Sequence, residues 1–133
     1  MRKDVAQVIA EFCRKFNEVG AGLPIRNSEM NVLKIICTVA GPHTSVQLAD
    51  ALGVTKPMIT TLINSMVDSG YLARVPSPED RRSFYIMPTK KGRNLMGVLQ
   101  QKTDRFLTQI KSKIGESDFE MFIGLIERVV MDI

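Results

Sequence analysis

Apolar side chains recur at helical spacing along most of this chain, and they alternate with polar ones in two short stretches near its middle. Residues 5–19 place apolar residues on one helical face and charged residues elsewhere, which predicts an amphipathic first helix. The Gly- and Pro-containing residues 20–24 end it. A second helix is predicted from near Asn27 or Ser28, both good caps, to about Ala40.

Two shorter helices joined by a tight turn are predicted next. Thr44 and Gln47 have the spacing of a capping box at the start of the first. Gly53, where a positive φ costs little, ends that helix. Thr55 can cap the second helix, and Pro57 lies in its first turn, where the missing N–H loses no hydrogen bond. This arrangement predicts a helix-turn-helix over about residues 45–69.

The second helix of that motif has one apolar face and one small, polar face. Ile59, Leu62, Ile63 and Met66 follow the i, i+3, i+4, i+7 spacing of a core stripe. Small polar side chains on the opposite face can hydrogen-bond to base edges in a major groove, although a plain solvated face is the alternative. The expected base-edge contacts are Pro57, Thr61, Asn64 and Ser65.

The two alternating stretches, residues 71–75 and 83–87, are rich in β-forming residues and predict a hairpin. A hairpin directly behind a helix-turn-helix is a winged helix, with the wing at about residues 71–87 and the complete winged helix-turn-helix at 28–93. The predicted fold is therefore mainly α (an α+β winged helix-turn-helix), with about six helices and a wing of two or three strands.

The last two predicted helices follow the wing. Thr89 can cap a long helix from Lys90, Gly115 breaks it, and Glu116 or Ser117 opens the final one. The final helix is apolar on more than one face, which one chain would leave as a large exposed patch. We therefore expect residues 1–20 and 90–133 to form a homodimer, with burial inside one chain as the alternative. The expected dimer residues are Val5, Ile9, Phe119, Phe122, Ile126 and Val130.

Charge is concentrated in the same middle region of this 133-residue chain. Residues 54–93 hold seven Lys or Arg against three Asp or Glu, and this net charge of +4 equals that of the entire chain. A localised basic segment is the expected footprint of a polyanion-binding face. The expected phosphate contacts are the cations Lys56, Lys90, Lys91 and Arg93 and the hydroxyls of Thr55, Thr60 and Thr61.

Other classes of function find little support in the residues. Cys13, Cys37 and the single His43 fit no metal-ligand spacing, and no nucleophile–base pair is evident, so no enzyme, metal or cofactor is expected. The N-terminus lacks the apolar core of a signal peptide, and no run reaches the length of a membrane span. We therefore expect a cytoplasmic protein with reduced thiols and no membrane partner.

Residues 45–95 closely resemble the DNA-binding core of MarR-family transcriptional regulators. The specific motifs are PSPEDRR at residues 76–82 and TKKGR at 89–93, a fixed distance after LGVTK at 52–56. The resemblance implies a homodimer on a pseudo-palindromic double-stranded operator. Recognition helices would enter successive major grooves, and wings would reach the flanking minor grooves. It also implies that Asp80 and Arg82 form the characteristic wing pair, with Arg81 on a phosphate.

The resemblance further implies a repressor that a small ligand or an oxidant releases from DNA, as is common in this family. Phe12, Phe16, Met30 and Leu33 are candidates to line an effector pocket, with ordinary core packing as the alternative. Cys13 is the candidate redox residue, and the default expectation for it is a buried, inert thiol. A winged-helix module that docks on protein is the alternative from another class, and the basic segment argues against it.

Overall fold

The computed structural model describes residues 4–80 and 82–132. Six α-helices and one antiparallel pair of strands make up the described chain, which confirms the mainly α winged-helix prediction. A single 3-10 turn, Glu18–Gly20, follows the first helix. The elements in order are α1 (Val5–Asn17), α2 (Asn27–Thr38), α3 (Ser45–Leu52), α4 (Lys56–Asp68), β1 (Leu72–Pro76), β2 (Phe84–Pro88), α5 (Lys90–Ile114) and α6 (Glu116–Asp132).

Two compact units divide the chain. Residues 20–99, here called the lobe, contain α2, α3, α4, the hairpin and the first part of α5. Residues 1–19 and 100–133, here called the helical unit, contain α1, the rest of α5 and α6. None of the helices within residues 4–80 and 82–132 has both the length and the apolarity that a membrane crossing requires.

The lobe has a closed apolar core. Ile59, Ile63 and Met66 of α4 are buried as the stripe predicts, and Leu62 packs against the core while half-buried. Ala49 of α3 is also buried, and a small side chain there allows α3 and α4 to approach closely. The remaining core residues come from the other lobe elements: Val32, Leu33, Ile36, Leu48, Tyr71, Leu72, Ile86 and Leu95.

Local signals position the helix-turn-helix as the sequence predicts. The Thr44 hydroxyl accepts the Gln47 backbone N–H, and the Gln47 side chain accepts the Thr44 N–H, which closes the capping box. Gly53 has a φ of 67°, a left-handed value that glycine adopts without strain. The Thr55 hydroxyl accepts the Met58 N–H and caps α4.

The start of α2 differs from the prediction. Asn27 is the first helical residue and not the cap, and Arg26 occupies the N-cap position. The Arg26 backbone N–H donates to the Glu29 carboxylate at 3.0 Å, so an acid three residues into the helix satisfies the free amide. The helix also ends earlier than predicted, at Thr38, because Val39 is extended.

Each strand of the hairpin lies one residue later than predicted, and Leu72 pairs with Pro88 at one end and Pro76 with Phe84 at the other. Pro76 and Pro88 lie at the strand ends, where a missing N–H removes no ladder bond. The Ile86 N–H donates to the His43 carbonyl at 2.8 Å. This bond ties the hairpin to the segment that leads into α3.

In contrast to the lobe, the helical unit has an aromatic cluster but no fully buried side chain among its described residues. Phe12 of α1 packs against Phe106 of α5 and Phe122 of α6, with ring centroids 6.3 and 5.6 Å apart. Gly115, with a φ of 89°, turns the chain from α5 into α6.

Candidate nucleic-acid interface

The outward face of α4 carries every lobe residue that the sequence proposes for base edges, and all of them are exposed. Pro57, Thr61, Asn64 and Ser65 point away from the stripe that the core buries. Thr55, Lys56 and Thr60, proposed for phosphates, are exposed at its N-terminal end. We call Thr61, Asn64 and Ser65 the reading face.

Each side chain of the reading face also has a hydrogen-bond partner inside the lobe. The Thr61 hydroxyl donates to the Pro57 carbonyl one turn earlier, at 2.9 Å. The Arg74 guanidinium of β1 donates to the Asn64 side-chain oxygen. The Ser65 hydroxyl donates to the Glu29 carboxylate at 3.0 Å. Part of the hydrogen-bonding capacity of this face is therefore already used by the protein.

Glu29 and Arg74 were not among the predicted site residues. Glu29 is only 6% exposed, and its second carboxylate oxygen accepts the Arg26 N–H, so the protein itself uses both oxygens. Arg74 lies two residues after the core residue Leu72, so both side chains are on the same face of β1. A charged residue on the face that packs against the core is the signal in the sequence that Arg74 contacts another element. The sequence alone does not predict that Glu29 bonds to Ser65 or that Arg74 bonds to Asn64.

The wing loop, residues 77–83, is held together by its own hydrogen bonds. The Ser77 N–H donates to the Ser83 carbonyl at 3.0 Å, which extends the hairpin beyond the last strand pair. The Asp80 carboxylate accepts the Arg82 backbone N–H at 2.9 Å and the Ser83 hydroxyl at 3.3 Å. The Ser77 hydroxyl accepts the Glu79 N–H. Hydrogen bonds within the protein therefore join the described residues on both sides of this loop.

Within the described residues, Asp80 contacts the backbone of Arg82 and the side chain of Ser83. The two residues of the predicted wing pair are joined by a hydrogen bond from the Arg82 backbone N–H to the Asp80 carboxylate, which also accepts the Ser83 hydroxyl. The Arg82 side chain is exposed at the tip. Arg81, the other predicted wing contact, lies outside the described residues. Asp80 therefore shapes the loop backbone that carries Arg82.

The start of α5 is bound to the turn between α4 and β1. Thr89 donates its backbone N–H to the Tyr71 carbonyl and its hydroxyl to the Gly70 carbonyl. Lys91 donates to the Ser69 carbonyl at 2.7 Å and lies 4.5 Å above the centre of the Tyr71 ring. Together these contacts fix the end of α4 to the beginning of α5.

Gly92 completes this contact, since a methyl group there would collide with the Tyr71 carbonyl oxygen. Arg93 donates to the Pro88 carbonyl at 3.1 Å. Lys90 is exposed. Of the four cations expected on phosphates, Lys91 and Arg93 therefore also stabilise the lobe, whereas no such bond involves Lys56 or Lys90 in the described chain.

The four effector-pocket candidates fall in different units. Met30 and Leu33 are buried inside the lobe, as ordinary core packing requires. Phe12 and Phe16 belong to the aromatic cluster of the helical unit. Phe12 also lines a cavity of about 500 Å³ in that unit, together with Phe106, Phe122, Ile110, Lys15 and Lys113.

The two thiols lie in different environments. Cys13 is exposed on α1, so the expectation of a buried thiol is wrong for the single chain. Cys13 lies beside the apolar stripe of α1, and no described residue of the helical unit buries it. Burial raises the pKa of the Cys37 thiol above its usual value, and the nearby positive charge of Arg93 lowers it by less.

Comparison with known proteins gives consistent results. Residues 25–84 match the model of the MarR family. The transcriptional regulator Tm0710 from Thermotoga maritima is 26% identical, with a TM-score of 0.69 over 96% of this chain and 93% of that one. A mutant of MarR from E. coli is 22% identical, with a TM-score of 0.77 over 98% of both chains. A mutant of MepR from S. aureus bound to an oligodeoxyribonucleotide is 19% identical, with a TM-score of 0.70 over 96% and 93%.

Proposed function

Given that this chain is a MarR-family transcriptional regulator, we propose that it acts as a dimeric, sequence-specific DNA-binding repressor. The family consists of transcription regulators, so the chain is not an enzyme. The observation that carries the proposal is the reading face of α4, exposed and polar, followed by a wing in which Arg82 is exposed and its backbone N–H is held by Asp80. Both lie in the segment that holds the positive charge of the chain.

In this proposal α4 lies in a major groove and the wing in the adjacent minor groove. Small side chains on the reading face allow close approach to base edges. A planar, permanently charged guanidinium suits a narrow minor groove, where the potential is most negative. The MepR mutant bound to an oligodeoxyribonucleotide supports this assignment, since its fold matches the chain over 96% of its length.

The helical unit supplies the proposed dimer contacts. Val5 and Ile9 of α1 and Ile126 and Val130 of α6 expose between 40% and 66% of their surface in the single chain. A second copy would remove this apolar surface from water. Two lobes related by a twofold axis favour a pseudo-palindromic operator, with half-sites about one helical turn, roughly 34–36 Å, apart.

Relief of repression by a small ligand is the finer part of the proposal. A ligand that binds more tightly to the DNA-free form must weaken DNA binding by the same factor. The cavity beside Phe12, at about 500 Å³, lies within the usual size range of ligand sites. Titrating candidate ligands into the protein–DNA complex tests this part, and an effector that changes neither affinity nor DNA release would contradict it.

The main experiment measures binding to the DNA upstream of the protein's own gene by fluorescence anisotropy, over a series of salt concentrations. Arg82→Ala is expected to weaken binding roughly tenfold or more, because it removes a charged contact from each wing. Arg105→Ala, which removes the same charge from the helical unit, is the matched control and should have a small effect. Equal affinity of the wild type and Arg82→Ala would disprove the wing assignment.

Salt dependence separates this proposal from a protein-docking module. Phosphate contacts release counterions, so affinity should fall steeply as salt rises. A wild-type protein that binds no DNA at any salt concentration would favour the protein-docking module instead.

A redox-sensing repressor is a second candidate because Cys13 is exposed on α1. Peroxide should then form a trappable sulfenic acid on Cys13 and release the DNA, and Cys13→Ser should prevent both. Release that persists in Cys13→Ser would exclude this mechanism.

A further inference from the structure

The hydrogen bonds behind the reading face limit what its side chains can offer to DNA. We propose that Arg74 and Glu29 are positioning residues that set the donor or acceptor character of Asn64 and Ser65, and so select bases that they do not touch. This inference rests on the proposed function, because it needs α4 to lie in a major groove.

Arg74 fixes the direction of the Asn64 amide. A guanidinium carries hydrogen-bond donors and no acceptor, so it can hold only the oxygen end of an amide. The Asn64 oxygen therefore faces β1, and the N–H₂ group has no partner within the described chain. In a major groove that group matches acceptor edges, which are the N7 and O6 of guanine, the N7 of adenine and the O4 of thymine.

Glu29 gives Ser65 the opposite character. A serine hydroxyl has one hydrogen, and that of Ser65 is donated to the Glu29 carboxylate at 3.0 Å. Its oxygen is left with acceptor capacity, which matches the amino groups of cytosine or adenine. The carboxylate cannot turn away easily, because its other oxygen accepts the Arg26 N–H.

The two residues act from different elements on adjacent positions of α4. Arg74 reaches Asn64 from the wing strand, and Glu29 reaches Ser65 from α2. A donor and an acceptor therefore stand side by side on the reading face before DNA binds. Preset groups of this kind lower the ordering cost of binding and penalise a base with the wrong edge.

The test selects bound sequences from a pool of random double-stranded DNA with the wild type and three variants. Arg74→Ala frees the Asn64 amide, and the preference for acceptor bases at one position of each half-site should fall about fivefold, the lower end for one good base contact. Arg74→Lys is the matched control, because an ammonium also only donates and should keep the preference.

Glu29→Gln tests the second position with an isosteric change. The glutamine oxygen can still accept the Arg26 N–H, while its amide donates to the Ser65 oxygen and frees the Ser65 hydrogen. The preferred base at that position should shift from cytosine or adenine towards guanine or thymine. Thermal melting of each variant verifies folding, and Ser65→Ala, which changes an exposed residue, tests the same position if Glu29→Gln is unstable.

The outcomes separate positioning from direct contact. An unchanged base preference in Arg74→Ala, or an equal loss in Arg74→Lys, would overturn the role of Arg74. A phosphate contact by Arg74 would instead reduce the salt slope of a dimer by about two in Arg74→Ala and leave base preference intact. An unchanged preference in Glu29→Gln or in Ser65→Ala would overturn the role of Glu29. A wild type that selects no sequence would overturn the proposed function itself.

Discussion

The lobe and the helical unit differ in how far each buries its own apolar side chains. Every fully buried residue of the described chain lies in the lobe, where Val32, Leu33 and Leu48 lose all contact with water. The helical unit leaves apolar side chains of both α1 and α6 in solvent, and Val130 keeps 66% of its surface exposed. The lobe therefore has a closed apolar core, whereas the helical unit exposes apolar faces to solvent in the single chain.

This difference indicates where each kind of mutation should act. In the lobe, a change of one methyl group meets close-packed neighbours, so stability is the sensitive quantity. In the helical unit, the same change meets water in the single chain and a second copy in the proposed dimer. Association is then the sensitive quantity, and stability should depend on protein concentration.

Breaking the helical unit should have the largest effect. Val130→Asp places an unpaired charge in the proposed interface, which costs several kcal/mol, and we expect at least about a 100-fold weaker dimer. Analytical ultracentrifugation measures the change. Arg128→Gln, on the opposite side of α6 at 100° per residue, should leave the dimer intact. If Val130→Asp dimerises with unchanged affinity, Val130 does not lie in the dimer interface.

Gly92 tests how tightly the lobe is packed. Gly92→Ala drives a methyl group into the Tyr71 carbonyl and should lower the free energy of unfolding by about 1–3 kcal/mol or more. At Gly97, on the same helix, such a methyl group would have no atom within 4 Å beyond the backbone of its own helical turns, so Gly97→Ala should stabilise by up to about 1 kcal/mol. Urea unfolding measures both, and equal effects would mean that the α5 contact does not constrain the lobe.

Asp80 tests whether the lobe can lose DNA affinity without any change in the helical unit. Asp80→Ala removes the acceptor for the Arg82 N–H and the Ser83 hydroxyl, so the backbone at Arg82 is no longer held by these two bonds. We expect DNA binding to weaken by about 1 kcal/mol, roughly fivefold, with the dimer unchanged. The neighbouring Glu79→Ala removes the same charge and should tighten binding slightly. Tighter binding in both variants would mean that Asp80 acts only through its charge.

The two cysteines, one in each unit, should show the smallest difference, which is a difference in the rate of thiol modification. The thiolate is the reactive form, and burial raises the pKa of Cys37, so less of it is ionised at a given pH. Iodoacetamide at pH 8 should therefore modify Cys13 before Cys37, as mass spectrometry of timed samples can measure. A Cys13 that reacts more slowly would show that α1 is covered around it in solution.

Much of the lobe follows from local signals. The capping box at Thr44, the left-handed Gly53 and the cap at Thr55 each depend on residues at most five positions away, so the pattern predicts them directly. The exposed face of α4 follows from the stripe that the core buries. Errors appear where several residues compete, as when Arg26 rather than Asn27 occupies the N-cap of α2.

The partners of the site residues could not be predicted in the same way. Ser65 and Glu29 are 36 positions apart, and Asn64 and Arg74 are 10 apart on different elements. Lys91 and Arg93 look like free cations in the sequence, yet each donates to a backbone carbonyl of the lobe. A composition or a periodicity contains no information about which distant group a polar side chain will reach.

The sequence by itself determined the order of the helices, the wing and the location of positive charge, because spacing and turn chemistry act over a few residues. Only the tertiary structure decided which hydrogen-bond groups of the reading face remain for a partner, and that Gly92 must lack a side chain. Those properties depend on elements that meet only after folding, when burial forces each polar group to find a partner.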